Sequence, residues 1–140
     1  MKYYVDTCIF LNVWKGEIGP NKRRPFYKIS DEFLKEYKKD KLISTKVLAE
    51  IERKLSKAEF KARCFQLLDE LETLDIPEDV IAQAQRMYQD TKKEISFADI
   101  IHMLMAEREG AILVTRDRTL MKIAREHYIS VASPDALVRY

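Results

Sequence analysis

Apolar positions along this chain follow two rhythms. Short β-forming runs occur at Tyr3-Tyr4-Val5 and Leu42-Ile43-Ser44, and again at residues 74–76, 111–115 and 129–131. Between them, apolar residues recur at three- and four-residue spacing, as on one face of a helix. The spacing predicts helices over 7–14, from about Ser30 through Tyr37, over 46–55 and 58–72, from Pro77 through Tyr88, from Ser96 to Gly110, and from Asp117 through Ala124. Strands that alternate with helices imply a parallel sheet covered on both faces. The fold class expected is therefore α/β with about five parallel strands. The helix opened by Ser96 carries Phe97, Ile100, Ile101, Met103, Leu104 and Met105, apolar around most of its girth. Such a helix belongs in the interior. The final strand, 129–131, is expected at a sheet edge, and residues 16–30 read as one long loop.

Composition narrows this picture without redirecting it. The 140 residues are 46% hydrophobic and 34% charged, which suits one globular domain spanning 1–140. No apolar run reaches the ~18 residues needed to cross a bilayer, and the start of the chain does not resemble a signal peptide. A cytoplasmic protein with no membrane contact is expected. Cys8 and Cys64 are too few for a disulfide framework and read as small core residues. The net charge of +2 conceals a local basic cluster, Asn21-Lys22-Arg23-Arg24-Pro25.

Candidate chemistry lies in four acids. Asp6 and Asp117 directly follow predicted strands, Asp99 sits in the first turn of the apolar helix, and Glu50 sits in the second turn of the helix after Ser44. In a parallel sheet, strand C-termini and helix N-termini share one edge, where ligands bind. All four carboxylates are expected there. Each has a structural reading as well. Asp6 and Asp117 are placed to cap the following helices, and Ser96-x-x-Asp99 matches a capping box. Periodicity does not separate Glu50 from Glu52. Together, however, the acids would repel and raise one another's pKa unless a cation neutralised them. An oxygen-rich site of this kind suits Mg²⁺ or Mn²⁺, and such ions support phosphodiester hydrolysis.

Tyr4-Val5-Asp6-Thr7, Ser44 with Glu50 six residues on, Phe97-Ala98-Asp99-Ile100-Ile101-His102, and Leu113-Val114-Thr115-Arg116-Asp117-Arg118 resemble, in order and over essentially the whole chain, the PIN-domain nucleases, most closely the VapC-type toxins. The resemblance implies a three-layer α/β/α fold. It further implies an Mg²⁺- or Mn²⁺-dependent endoribonuclease, usually a homodimer, inhibited by a cognate antitoxin. It places Asp6, Glu50, Asp99 and Asp117 at metal-site positions and prefers Glu50 over Glu52. Thr7 and Thr115 match hydroxyls that hydrogen-bond the metal ligands. The chain departs from the pattern at Cys8, where many members have Asn, and at Thr119 and Leu120, where many have a further acid and then Phe.

His102 reads more readily as a packed histidine with one satisfied nitrogen than as a proton shuttle, and His127 as a surface residue. Two histidines make a zinc site improbable. Lys22, Arg23, Arg24, Arg116 and Arg118 are candidate RNA contacts, and Lys92 and Lys93 are candidates to line the same groove. The rival reading from another class is a non-catalytic PIN-like module that binds RNA or protein. A haloacid-dehalogenase-type phosphatase is disfavoured, because its second Asp position holds Cys8.

Overall fold

The computed structural model describes residues 1–37, 39–92 and 94–138. Lys93 therefore lies outside the described residues. The chain runs β1 (Tyr3–Val5), α1 (Thr7–Trp14), α2 (Phe26–Glu36), β2 (Lys41–Ser44), α3 (Thr45–Lys54), α4 (Lys57–Glu70), β3 (Glu72–Leu74), α5 (Glu78–Asp90), α6 (Phe97–Arg108), β4 (Ile112–Val114), α7 (Arg118–Glu126), β5 (Val131–Ala132) and α8 (Pro134–Leu137). The strands form one parallel sheet in the order β3-β2-β1-β4-β5. Helices flank the sheet in the expected three-layer arrangement.

β1 is the central strand, and its residues are all buried. Tyr3 lies beside Lys41 on one side and Ile112 on the other, and Tyr4 lies between Leu42 and Leu113. A strand paired on both edges and covered on both faces has no position for an alternating polar residue, which is why its sequence is an unbroken apolar run. α6 is buried from Ala98 to Ala106, apart from half-buried Asp99 near its start. Gly110 ends it at φ +63°, a left-handed conformation that glycine adopts without steric cost.

Several boundaries differ from the sequence reading. α2 begins at Phe26, four residues before Ser30, because Pro25 supplies an extended N-cap and Ile29 and Phe33 already face the core. The preceding loop is therefore shorter than 16–30. It closes tightly on the helix: a Cβ on Gly19, at φ +75°, would meet the Phe26 ring at 2.6 Å. β3 lies at Glu72–Leu74 rather than 74–76, since its register is set by pairing with Leu42, Ile43 and Ser44. β5 shifts two residues onward by the same logic, to pair with Leu113 and Val114, and it is an edge strand as expected. The short α8 has no counterpart in the sequence reading. It packs on α2, where the Tyr37 hydroxyl donates to the Leu137 carbonyl at 2.8 Å. Among the described residues no helix is long and apolar enough to cross a membrane.

The chain leaves β1 toward β2 on one side and returns to β4 on the other. The strand order thus reverses between β1 and β4, the place in an open α/β sheet where a crevice forms at the strand C-termini. Asp6 follows β1 at that crevice, and its N–H donates to the Val114 carbonyl at 3.0 Å.

Candidate functional site

Asp6 directly follows β1 and is 5% exposed. It occupies the N-cap position of α1, yet its side chain makes no capping hydrogen bond. Its carboxylate turns instead toward the crevice. Oδ2 accepts from the Thr115 hydroxyl at 2.7 Å and from the Cys8 thiol at 3.3 Å. Cys8 is therefore not simply a core filler. Burial and the neighbouring Asp6 charge push its thiol pKa up, so it stays a neutral donor.

Glu50 reaches the same crevice from α3, whereas Glu52 is exposed to solvent. Glu50 Oε1 accepts from the Thr7 hydroxyl at 2.7 Å and lies 2.5 Å from His102 Nε2. Burial would raise the Glu50 carboxyl. The hydrogen bond and charge of His102, the Thr7 hydroxyl and Lys46 outweigh burial and hold it below the ordinary value. His102 is fully buried, and both of its ring nitrogens are engaged rather than one: Nδ1 lies 2.7 Å from the Tyr4 hydroxyl. Its Nε2 is also 3.6 Å from Asp6 Oδ1. Burial favours neutral imidazole, but the Glu50 hydrogen bond and the charges of Asp6, Glu50 and Asp99 raise its pKa.

Asp99 and Asp117 complete the acidic wall. Ser96 caps α6 by accepting from the Asp99 N–H at 3.1 Å, half of the capping box read from the sequence. The Asp99 carboxyl is pushed up to about 6, first by burial and then by the charges of Asp6 and Asp117, with His102 acting in the other direction. Asp117 is exposed and caps α7: its Oδ1 accepts from the Thr119 and Leu120 N–H groups at 2.9 and 3.1 Å. Its own N–H donates to Thr115 Oγ1 at 3.1 Å.

A common design emerges from these hydrogen bonds. In Asp6, Glu50 and Asp117 one carboxylate oxygen is held by protein donors, while the other accepts no hydrogen bond among the described residues. Ligand-type atoms of Asp6, Glu50 and His102 lie within 4.8 Å of one another, but both His102 nitrogens are engaged by Tyr4 and Glu50, which leaves the carboxylates to hold an ion. Free oxygens on clustered, mutually repelling carboxylates fit a hard divalent cation.

A cleft of about 560 Å³ is lined by Arg116 and Arg118, the two neighbours of Asp117 in the chain, and by Arg24, Arg125 and Phe26 among others, while none of the four acids lines it. Arg116 forms a fixed part of its wall. The guanidinium donates to Asn12 Oδ1 at 2.8 Å, Ser30 Oγ at 3.2 Å and Asp135 Oδ1 at 2.5 Å, and it stacks 4.0 Å from the Phe26 ring centroid. Lys22 and Arg23 are exposed on the loop and do not line this cleft, and Lys92 lies just past the C-terminus of α5 at φ 52°.

Sequence reasoning treats His102 as a packed residue and does not single out Tyr4 for the site. Two signals point to them. His102 follows Asp99 by three positions on one helix, which places both on one face. Tyr4 precedes Asp6 by two positions along a strand, which points both to one side.

Comparison with known proteins agrees with the fold. A search of curated proteins found no match. Among solved structures, the chain is similar to one in a toxin–antitoxin complex from Klebsiella pneumoniae, at TM-score 0.70 and 18% identity over 95% of this chain and 98% of that one. It is similar to a chain of VapBC2 from Rickettsia felis bound to a promoter DNA fragment, at TM-score 0.68 and 20% identity over 95% and 98%. DNA-bound VapBC from Salmonella typhimurium gives 0.68 and 20% over 96% and 98%. These likenesses establish a shared fold. A protein-family model described as the PIN domain matches residues 3–126, from the first strand to the end of α7, and the chain therefore belongs to the PIN-domain family.

Proposed function

We propose that the chain is a metal-dependent endoribonuclease and the toxin of a toxin–antitoxin pair. The observation that carries this reading is the crevice at the end of β1, where the carboxylates of Asp6 and Glu50 each keep one oxygen that accepts no hydrogen bond among the described residues, beside His102. Asp99 and Asp117 add their charges to the same site. A divalent cation bound here, Mg²⁺ or Mn²⁺, would acidify a water and offset charge on a phosphoryl oxygen. The chain's own part is to hold that cation on Asp6, Glu50, Asp99 and Asp117. Thr7 and Thr115 fix the carboxylates so that little reorganisation accompanies reaction. Hydrolysis at such a site would add water to phosphorus in line with the departing ribose oxygen, whose bond to phosphorus breaks and which takes up a proton as the water gives one up, with no covalent enzyme intermediate.

The arginine-lined cleft supports an anionic polymer as substrate. Arg118 and Arg125 supply positive charge, fixed Arg116 shapes the wall, and Phe26 adds an aromatic ring under Arg116 to the lining. The similar structures are of toxin–antitoxin complexes, two of them bound to DNA, which supports an antitoxin partner. Phe65 and Leu68 on α4, 81% and 53% exposed, offer apolar surface for such a protein or for a second copy in a homodimer. A cytoplasmic site of action accords with an RNA substrate.

The test is cleavage of a mixed pool of structured RNAs in Mn²⁺, in Mg²⁺ and in EDTA, with Asp6→Asn beside wild type. Metal-dependent cutting that disappears in the variant is expected. RNA binding that is unchanged by EDTA, with no cutting in any metal, would favour the non-catalytic module instead.

A further inference from the structure

A continuous line of hydrogen bonds crosses the core behind the site. The Lys46 N–H donates to Ser44 Oγ at 3.2 Å. Ser44 Oγ lies 2.7 Å from the Tyr4 hydroxyl, the Tyr4 hydroxyl 2.7 Å from His102 Nδ1, and His102 Nε2 2.5 Å from Glu50 Oε1. Ser44, Tyr4 and His102 are each 0% exposed. The line ties β1, the β2–α3 junction and α6 together, and it ends on an acid of the crevice.

Stability alone gives little reason for such a line. Buried hydroxyl and imidazole groups are desolvated, and a well-packed apolar set of the same volume is commonly as stable. The endpoint gives a reason. A glutamate side chain has freely rotating torsions, so an unsupported Glu50 would sample many carboxylate orientations. Thr7 supplies one donor to Oε1 and His102 supplies the second, which leaves Oε2 with no partner among the described residues. The direction of donation is secure in either state of the ring. With neutral imidazole, Tyr4 O–H donates to Nδ1 and Nε2–H donates to Glu50. With imidazolium, Nδ1–H donates to the Tyr4 oxygen, Tyr4 donates to Ser44, and Nε2–H still donates to Glu50.

We propose that His102 and Tyr4 are positioning residues of this site: His102 fixes the Glu50 carboxylate through Oε1, Tyr4 fixes His102, and together they set the site's affinity for its divalent cation. The proposal rests on the reading of the acids as a cation site. It assigns no direct contact between His102 and the cation.

The experiment is calorimetric titration of the full chain with Mn²⁺, using wild type, His102→Leu, His102→Gln and Tyr4→Phe, with thermal melts of each in EDTA. Wild type is expected to bind. His102→Leu is expected to weaken binding about 10- to 100-fold, the range found when outer partners of metal ligands are removed. His102→Gln, which keeps an N–H donor, should recover most of that loss, and Tyr4→Phe should fall between them. Wild-type affinity in His102→Leu would overturn the proposal, as would a loss in His102→Gln equal to that in His102→Leu. Nitrogen hyperfine coupling to bound Mn²⁺ would overturn it by making His102 a ligand. If His102→Leu does not fold, Tyr4→Phe removes one oxygen and no packing volume, and wild-type affinity in that variant would overturn the line from Tyr4. Absence of Mn²⁺ binding in wild type would instead remove the cation site itself, and this inference with it.

Discussion

The Thr115 hydroxyl donates to Asp6 Oδ2 at 2.7 Å, joining two residues 109 positions apart in the chain. Thr115 is fully buried and Asp6 nearly so. The same hydroxyl oxygen accepts the Asp117 N–H, so one side chain at the end of β4 orients two acids of the crevice. Val in its place would keep the shape and lose both bonds.

Thr115→Val should therefore cost roughly 1–3 kcal/mol of stability, since it strips donors and acceptors from partly buried partners. It should also weaken Mn²⁺ binding about 10-fold or more. Urea unfolding and calorimetry would measure these separately. Thr115→Ser, which keeps the hydroxyl, should retain most of the affinity. Equal affinity in Val and Ser variants would mean that the hydroxyl does not orient Asp6.

Asp99 makes the metal-free protein sensitive to pH. Its carboxyl is pushed from 3.8 up to about 6 in the folded chain, so the folded state binds this proton more tightly than the unfolded state. Its contribution to stability is fully present below the unfolded value and is lost as pH rises through the folded value. In EDTA, the Tm difference between wild type and Asp99→Asn should shift against wild type as pH rises from about 4 to 6 and level off above. Added Mn²⁺ should raise the wild-type Tm more at about pH 7 than at about pH 5, because protons compete for the same oxygens. A Tm difference that does not change over this range would contradict the burial of Asp99 and its crowding by Asp6 and Asp117.

Arg118 and Arg125 line the arginine-rich cleft and, among the described residues, make no side-chain hydrogen bonds like those that hold Arg116. Alanine at either should weaken RNA binding and lower the slope of log affinity against log salt by about 0.7 to 1 for each phosphate left without its arginine. Mn²⁺ affinity should not change. A salt slope identical to that of wild type in the double variant would place the RNA elsewhere.

Tyr128 is 97% exposed and sits at φ 59°, just after α7. A bulky side chain in the left-handed region is strained, while Asn tolerates it well. Since Tyr128 has almost no packing to lose, Tyr128→Asn should raise stability by roughly 0.5–1 kcal/mol. Chemical denaturation would show the gain, and a loss would mean that the ring packs on the chain after all.

The sequence by itself was enough for what depends on neighbours along the chain. The apolar run of β1 marked a strand covered on both faces, the nearly uniform apolarity of α6 marked a buried helix, and Gly110 marked its end. Strand–acid junctions at Asp6 and Asp117 placed acids at one sheet edge, because parallel topology sends strand ends there. Boundaries drawn from periodicity were less secure. α2 begins at its Pro25 cap, and β3 and β5 take their registers from the strands they pair with.

The tertiary structure decided what depends on partners far apart in the chain. That Asp117 caps α7 while Asp6, equally placed to cap α1, is drawn away to Thr115 follows from the pairing of β1 with β4. Arg116 became a fixed wall because Asn12, Ser30 and Asp135 arrive from three other segments. Periodicity located His102 on a buried face, as a packed residue. Only the approach of Tyr4, 98 residues away, and Glu50, 52 away, engaged both ring nitrogens and made the histidine part of the site. A hydrogen bond requires atoms within about 3 Å and aligned, and for residues so distant in the chain only the assembled fold supplies that geometry.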